Sequence, residues 1–179
     1  MNDELITHID LCCQGDTKAF GFIVEEYRQL VYVLAFRLLC DEEDARDITQ
    51  EIFIKVWQNI SKYNRKYKFS TWIYKIASHA CYDKLRVERK MSKVNLADCE
   101  LYSDGYPDEI LNNKELKKLI IGISAGLTPK QKLVFTLSDL EELEVEEISV
   151  ITGMTPAKIK SNLYLARKYI KSKISNDER

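Results

Sequence analysis

Between Tyr63 and Arg86 the sequence sets cations and rings side by side. Tyr63, Arg65, Lys66, Tyr67, Lys68 and Phe69 come almost in succession, and Trp72, Lys75, His79, Tyr82 and Arg86 follow at three- and four-residue spacing. Ammonium and guanidinium groups neutralise phosphates, while aromatic faces stack on unpaired bases at ~1–3 kcal/mol per stack. Together they are chemistry for an opened or single-stranded nucleic acid. At 100° per residue, Lys75, Ser78, His79, Tyr82, Arg86, Arg89 and Lys90 fall within about 120° of one another. A basic helix face alone is commonly just solvated; the adjoining aromatic loop gives this one a second reading.

A second basic group lies near the C-terminus. Glu146 to Thr152 reads as a short helix and Gly153-Met154 as a tight turn, with Thr155-Pro156 the cap and first position of a helix reaching Lys173. That is a helix-turn-helix pattern. Ile159, Leu163, Ala166 and Ile170 make the buried stripe, leaving Ala157, Lys158, Lys160, Ser161, Tyr164 and Lys168 on or flanking the other side. The lysines suit phosphate, whereas Ala157, Ser161 and Tyr164 are placed for base edges in a major groove. Compensation of the helix dipole explains Lys171 and Lys173, in the last turns, but not Lys158 and Lys160 in the first.

Catalytic patterns are absent by comparison. The histidines are His8 and His79, and no Gly-rich phosphate loop, His-Glu-x-x-His or Gly-x-Ser-x-Gly occurs. His8 and Cys12 are an i, i+4 pair without a third ligand. The acids Asp41 to Asp44, Asp47 and Glu51 fit the start of a helix, where they offset its dipole. No catalytic residue, metal, cofactor or small-molecule substrate is therefore expected. Cys12, Cys13, Cys40, Cys81 and Cys99 are odd in number and contain no Cys-x-x-Cys, which predicts reduced thiols in a cytoplasmic chain.

These residues need elements to hold them. Phe20, Ile23, Tyr27, Leu30, Val31, Leu34, Ala35 and Leu38 keep helical period and open the bundle as its first predicted helix. Asp41, with Asp44 three residues on, reads as the cap of a second helix through Ala45, Ile48, Ile52, Phe53, Val56, Trp57 and Ile60, its outward face carrying Asp44, Asp47, Gln50, Glu51 and Lys55. Ser61 to Lys68 reads as a loop, and Ser70 as the cap of a third helix to about Lys90 whose inner stripe is Phe69, Trp72, Ile73, Ile76, Ala77 and Ala80. The period is lost between 91 and 112, where Gly105, Pro107 and five acids mark a linker. Leu116, Leu119, Ile120 and Ile123 begin a second lobe. In it Thr128-Pro129-Lys130-Gln131 is a capping box with proline at the first position, opening a helix to about Asp139. The expected fold is all-α, two small helical domains over 1–90 and 113–179 joined by a flexible acidic linker.

The net charge of −1 conceals how the charges are sorted. Residues 1–51 hold 4 basic and 12 acidic side chains, and residues 52–90 hold 10 basic and 2 acidic. A near-neutral total is thus compatible with two basic surfaces that suit a polyanion. With 45% hydrophobic and 31% charged residues the composition is globular. The longest uncharged apolar run, Leu30 to Phe36, is far below the ~20 residues of a membrane span. The acidic start Met1-Asn2-Asp3-Glu4 is not expected to be a signal peptide.

The chain resembles the extracytoplasmic-function group of bacterial RNA polymerase sigma factors, which keep sigma regions two and four. In the first lobe the resemblance rests on Asp44-Ala45-Arg46-Asp47-Ile48-Thr49-Gln50-Glu51-Ile52-Phe53-Ile54-Lys55-Val56-Trp57, on Phe69-Ser70-Thr71-Trp72-Ile73-Tyr74-Lys75-Ile76-Ala77 and on Asp83-Lys84-Leu85-Arg86. In the second it rests on Leu127-Thr128-Pro129-Lys130-Gln131, Glu147-Ile148 and Lys160-Ser161-Asn162-Leu163-Tyr164-Leu165-Ala166-Arg167.

The resemblance implies a sigma factor that binds core RNA polymerase, directs it to promoters and helps melt them. Asp44, Asp47, Gln50 and Glu51 would dock on the β′ clamp helices. Tyr63, Arg65, Lys66, Tyr67, Lys68, Phe69, Trp72, Lys75, His79, Tyr82 and Arg86 would take the minus-ten element, where a base is flipped from the opened strand. The second lobe would bind the β flap and set Thr155, Ala157, Lys158, Lys160, Ser161, Tyr164, Arg167 and Lys168 on the minus-thirty-five element. The acidic linker would run toward the RNA exit channel. Such factors are commonly held inactive by an anti-sigma factor, often membrane-bound. The chain departs from the family pattern at Arg46, where a glutamate is usual, and at Ser78-His79, where Arg-Asn is usual. Two other readings compete: a stand-alone helix-turn-helix regulator, and a metal-dependent nuclease using the acids from Asp41 to Glu51.

Overall fold

The computed structural model describes residues 3–91, 122 and 126–177, without the side chains of 88–91 and 174–177. Every regular element among them is helical. The bundle starts earlier than the periodicity suggested: helix α1, Asp3–Cys13, precedes the first expected helix and buries Ile9 and Cys12 against it. Helix α2, Thr17–Leu39, is capped by Asp16, whose carboxylate accepts from the N–H groups of Lys18 and Ala19 at 2.8 and 3.1 Å. Every residue from Val31 to Phe36 is buried, because α2 is wrapped on more than one side and so needs no polar stripe there. It ends at Cys40 in the left-handed region (φ 61°), whose N–H donates to the Phe36 carbonyl.

Helix α3, Glu42–Asn59, follows at once. Asp41 caps it by accepting from the Asp44 N–H at 2.8 Å, as the sequence predicted, and Glu42, Glu43 and Asp44 offset the dipole. A 3₁₀ turn, Ile60–Lys62, leads into the basic loop. Helix α4, Phe69–Met91, begins before the expected Ser70 cap: the Trp72 N–H already donates to the Lys68 carbonyl, so Ser70 lies inside the first turn. Val31, Leu34, Ala35 and Leu38 of α2, Ala45, Ile52 and Val56 of α3, and Ile73, Ala77 and Cys81 of α4 are fully enclosed. Burial pushes the Cys81 thiol up to about 12 and the Cys12 thiol up to about 11, so neither is a ready nucleophile at neutral pH.

The expected linker, apart from Met91, and the residues Leu116, Leu119, Ile120 and Ile123 expected to begin the second lobe lie outside the described residues. Helix α5, Pro129–Phe135, opens with the predicted capping box: Thr128 Oγ1 accepts from the Gln131 N–H at 3.3 Å, and the Gln131 side chain accepts from the Thr128 N–H at 2.9 Å. The chain stays helical to about Asp139 as expected, but not as an α-helix throughout. It widens into a π turn, Thr136–Leu140, closed by the Glu141 N–H on the Thr136 carbonyl at 3.0 Å. Glu142 then takes a left-handed backbone (φ 54°) and reverses the chain. Helix α6, Val145–Thr152, ends at Gly153, whose φ of 70° is the reason for glycine in that turn. Helix α7, Pro156–Asp177, begins with Thr155 Oγ1 accepting from the Lys158 N–H. Its stripe of Ile159, Leu163, Ala166 and Ile170 is buried as predicted.

The two lobes pack on each other. Leu133, Val134, Leu137, Ile148 and Ile151 join the α2–α4 side chains in one continuous apolar cluster, with α5 and α6 lying on α4. At the seam Arg37 pairs with Glu141, the Tyr74 hydroxyl donates to Glu141, the Thr71 hydroxyl donates to Glu147, and the Lys132 ammonium donates to the Cys40 sulfur at 3.2 Å.

Candidate nucleic-acid interface

The basic loop is held by its own backbone and by rings. Asn64 Oδ1 accepts from the Lys66 N–H at 3.0 Å, and the Tyr63 hydroxyl donates to the Tyr67 carbonyl at 2.6 Å. Tyr63, Phe69 and Trp72 pack edge to face or tilted, with centroids 5.0–5.6 Å apart, and Tyr27 of α2 meets Phe69 at 5.3 Å. Phe69 is only 3% exposed. It therefore anchors the loop, and the rings left for a base are Tyr67, which is exposed, and the half-buried Trp72. Arg65 is tied to Asp10 on α1, whereas Lys66 and Lys68 point outward.

Beside this loop a cavity of about 610 Å³ opens between α3 and α4, with Val150 of α6 closing part of its wall. Lys75, His79, Trp72 and Tyr67 line it as the sequence reading grouped them, and Lys55, Asn59, Lys62 and Asn64 line it too. The latter set was missed because no single helix face contains it. Only the 3₁₀ turn brings the end of α3 round, where Lys62 Nζ donates to Asn59 Oδ1 at 2.9 Å and Asn59 Nδ2 to the Lys55 carbonyl at 2.8 Å. The i, i+4 spacing of Lys55 and Asn59 was the available signal. The cavity is wide enough for a flipped base, with cations at its rim and a ring in its wall.

His79 is exposed, and its Nδ1 lies 2.6 Å from the Lys75 carbonyl. A carbonyl only accepts, so Nδ1 carries the hydrogen and Nε2 of the neutral ring is the free acceptor. Tyr82 is half-buried and Arg86 exposed. Ser78 departs from the expected face: it is 1% exposed, because the second lobe covers the side of α4 that carries it. Arg89 and Lys90 have side chains outside the described residues.

The acidic face of α3 is open at Asp47, Gln50 and Glu51, while Asp44 is partly covered and ion-paired with Lys84 of α4. Ile54, 57% exposed, shares that face one and two turns on from Gln50 and Asp47 and gives it an apolar centre that the charge pattern had hidden. Arg46 reaches back along the helix to Glu42 at 3.7 Å.

On α7, Ala157, Lys158, Lys160, Ser161, Tyr164 and Lys168 are all exposed, Tyr164 at 66%. Arg167 is exposed but held by two hydrogen bonds to Asp139, at 2.9 and 2.6 Å. The turn before the helix is fixed by Ser149 Oγ donating to the Met154 carbonyl at 2.7 Å. Among the described residues no cluster of His, Cys, Asp and Glu could hold a metal, and no helix is long and apolar enough to cross a membrane.

Comparison with known proteins bears on both lobes. The family described as sigma-70 region 2 matches residues 23–91, and that described as sigma-70, region 4 matches residues 119–170. The ECF RNA polymerase sigma factor SigW of Bacillus subtilis (strain 168) is 30% identical over 171 residues, 90% of this chain and 91% of that protein. The ECF RNA polymerase sigma-E factor of Haemophilus influenzae is 29% identical over 90% of each. In fold the chain is similar to CnrH, solved in complex with the cytosolic domain of CnrY, at a TM-score of 0.69 and 14% identity over 96% of this chain and 97% of that one. It is similar also to RpoE from Bartonella quintana, solved with the anti-sigma factor NepR, at a TM-score of 0.67 and 18% identity over 88% of this chain and 98% of that one.

Proposed function

The chain belongs to the ECF (extracytoplasmic-function) sigma factors of bacterial RNA polymerase, and from that premise we propose which of its surfaces does which part of the work. As a sigma factor it binds core RNA polymerase, directs it to specific promoters and assists melting at the start of transcription. The observation that carries the division of labour is the pairing of a basic, ring-lined cavity on the first lobe with an exposed basic recognition helix on the second. Asp47, Gln50 and Glu51 dock on the polymerase clamp, with Ile54 at the centre of the contact and Asp44 at its edge. The cavity, with Lys66, Tyr67, Lys68, Trp72, Lys75 and His79, receives the opened minus-ten strand. Ala157, Lys158, Lys160, Ser161, Tyr164 and Lys168 meet the minus-thirty-five element. The chain works in the cytoplasm on nucleoid DNA, catalyses no reaction itself, and is held in check by an anti-sigma factor, as its fold neighbour from Bartonella quintana is solved with one.

The two elements lie about 25 base pairs apart, roughly 85 Å of duplex at ~3.4 Å per base pair. Lobes joined by a 2.7 Å hydrogen bond from Thr71 to Glu147 cannot touch both. The linker expected over 91–112, at ~3.3–3.6 Å per residue, would add up to roughly 70 Å of reach between the lobes. Separation of the lobes on polymerase is therefore part of the proposed function.

Run-off transcription from a promoter library, with core polymerase alone and with the chain added, tests the reading. Specific transcripts that require the chain are expected; duplex binding by the free chain without any new transcript would instead make it a stand-alone regulator. Two finer results are expected in the same assay. His79→Asn changes the bases preferred across a randomised minus-ten element, because the Nε2 acceptor is replaced by an amide; an unchanged preference removes His79 from the reading set. Lys158→Ala with Lys160→Ala weakens holoenzyme binding at all promoters alike and lowers the slope of log affinity against log salt by about 1.8, at ~0.9 per lost phosphate contact. A slope that does not move places those lysines away from DNA.

A further inference from the structure

The second lobe's acids fall on cations and hydroxyls of the first. Glu141 Oε1 accepts from Arg37 Nη1 at 2.5 Å, and its Oε2 accepts from the Tyr74 hydroxyl at 2.6 Å. Glu147 Oε1 accepts from the Thr71 hydroxyl at 2.7 Å. Burial first, then the charge of Glu141, pushes the Tyr74 hydroxyl far above its ordinary range, so it remains a donor. Guanidinium and phenol thus converge from α2 and α4 on the Glu141 carboxylate, and the Thr71 hydroxyl, one turn before Tyr74 on α4, meets that of Glu147. Both partners of the Arg37–Glu141 pair are about nine-tenths buried.

Two details fit a phosphate better than the carboxylates now present. Arg37 uses Nη1 for Glu141 and for the Leu140 carbonyl, while its buried Nε has no partner among the described residues. A phosphate has the oxygens to take Nε and Nη together, the two-pronged geometry in which arginine binds most strongly. Thr71, moreover, lines the cavity that holds Lys75, Trp72 and His79. Through Thr71 the site borders the proposed minus-ten cavity, with Tyr74 one turn further along α4.

We propose that Arg37, Tyr74 and Thr71 are a backbone-phosphate site for the opened promoter strand, and that Glu141 and Glu147 occupy it when the lobes are closed. This rests on the sigma-factor reading and adds to it a surface and its control. The second lobe acts as an internal stand-in for nucleic acid, and the same separation of lobes that lets the chain span a promoter also uncovers the seat. The π turn and the left-handed Glu142 are the local means by which Glu141 is aimed inward.

The test uses the full chain without polymerase and a fluorescein-labelled single-stranded oligonucleotide of about 12 nucleotides, read by fluorescence anisotropy at low ionic strength. Interlobe distance is followed by energy transfer between labels on the two lobes, and helicity by circular dichroism. Glu141→Gln with Glu147→Gln is expected to separate the lobes and tighten oligonucleotide binding. A seat free in only ~10% of molecules weakens apparent affinity about ten-fold, and that factor is what the variant should recover. Adding Arg37→Gln should return most of the gain and lower the salt slope by about 0.7, the value for one phosphate on a single strand. Tyr74→Phe, added instead, removes one donor at little risk to the fold and should return a smaller part. Lobes that stay closed in the acid variant, opening without tighter binding, or a gain that survives Arg37→Gln in a folded chain would each overturn the proposal. Run-off transcription by the unaltered chain is measured separately: its absence would sink the sigma-factor reading while leaving the binding and distance results to speak on the seat.

Discussion

Replacing Asp47 and Gln50 together by alanine should reduce promoter-specific run-off transcription to the level of core polymerase alone, while leaving the melting temperature of the free chain within a degree or two. The two side chains are exposed on α3, and neither caps a helix. Alanine is the better helix former at both positions, so the cost to the fold is within about 0.5 kcal/mol. The proposed polymerase contact has no such reserve. Two central interface contacts worth about 2 kcal/mol each lower affinity by roughly 10²–10³-fold. Asp44 is left out of the pair because Lys84 holds it, and its removal would confound docking with the packing of α4 on α3. Transcription that survives the double replacement would move the polymerase contact off this face. The measurement is a titration of run-off product against chain concentration, with thermal melts of both proteins.

The second large effect is on stability. Phe36→Ala should lower the melting temperature by roughly 6–20 °C. Phe36 is 1% exposed at the end of α2, among the largest side chains that are fully enclosed. Truncating a buried phenylalanine costs about 3–5 kcal/mol, through lost burial and the cavity left behind. For a chain of this size each kcal/mol is worth about 2–4 °C. The neighbouring Arg37 is positioned by that burial, so the variant should also loosen the lobes before it unfolds. A shift below about 3 °C would mean that the end of α2 is not part of a closed core.

What could be read from the sequence was what is decided within a few residues. The caps at Asp41, Thr128 and Thr155 are contacts between a side chain and an N–H three positions on, and all three appear where the residue types placed them. The stripe of α7 likewise needs only its own spacing. Helix α1 escaped because Ile9 and Cys12 are too few to show a period in a short acidic segment. Ser70 misled because serine is a common cap, yet the Lys68 carbonyl had already started the helix. The candidate site was legible as a list of cations and rings but not as a cavity, since Lys55 and Lys75 are joined only by the turn at Ile60–Lys62. Ser78 looked outward because helical spacing cannot show what covers a face. The pairing of Arg37 with Glu141, 104 positions apart, has no local trace at all.

The shared core also bears on how such chains can be recombined. With Leu133, Val134, Leu137 and Ile148 packed into the same apolar cluster as the α2–α4 residues, the halves are fitted to each other. A hybrid that joins residues 3–91 to a relative's second half would inherit the cavity but meet foreign side chains along α4. Its free form would rest at a different balance of open and closed, and its background output would change even if both half-sites were recognised faithfully. Exchange of specificity between family members thus calls for transplanting the α4-facing residues of α5 and α6 together with the recognition helix.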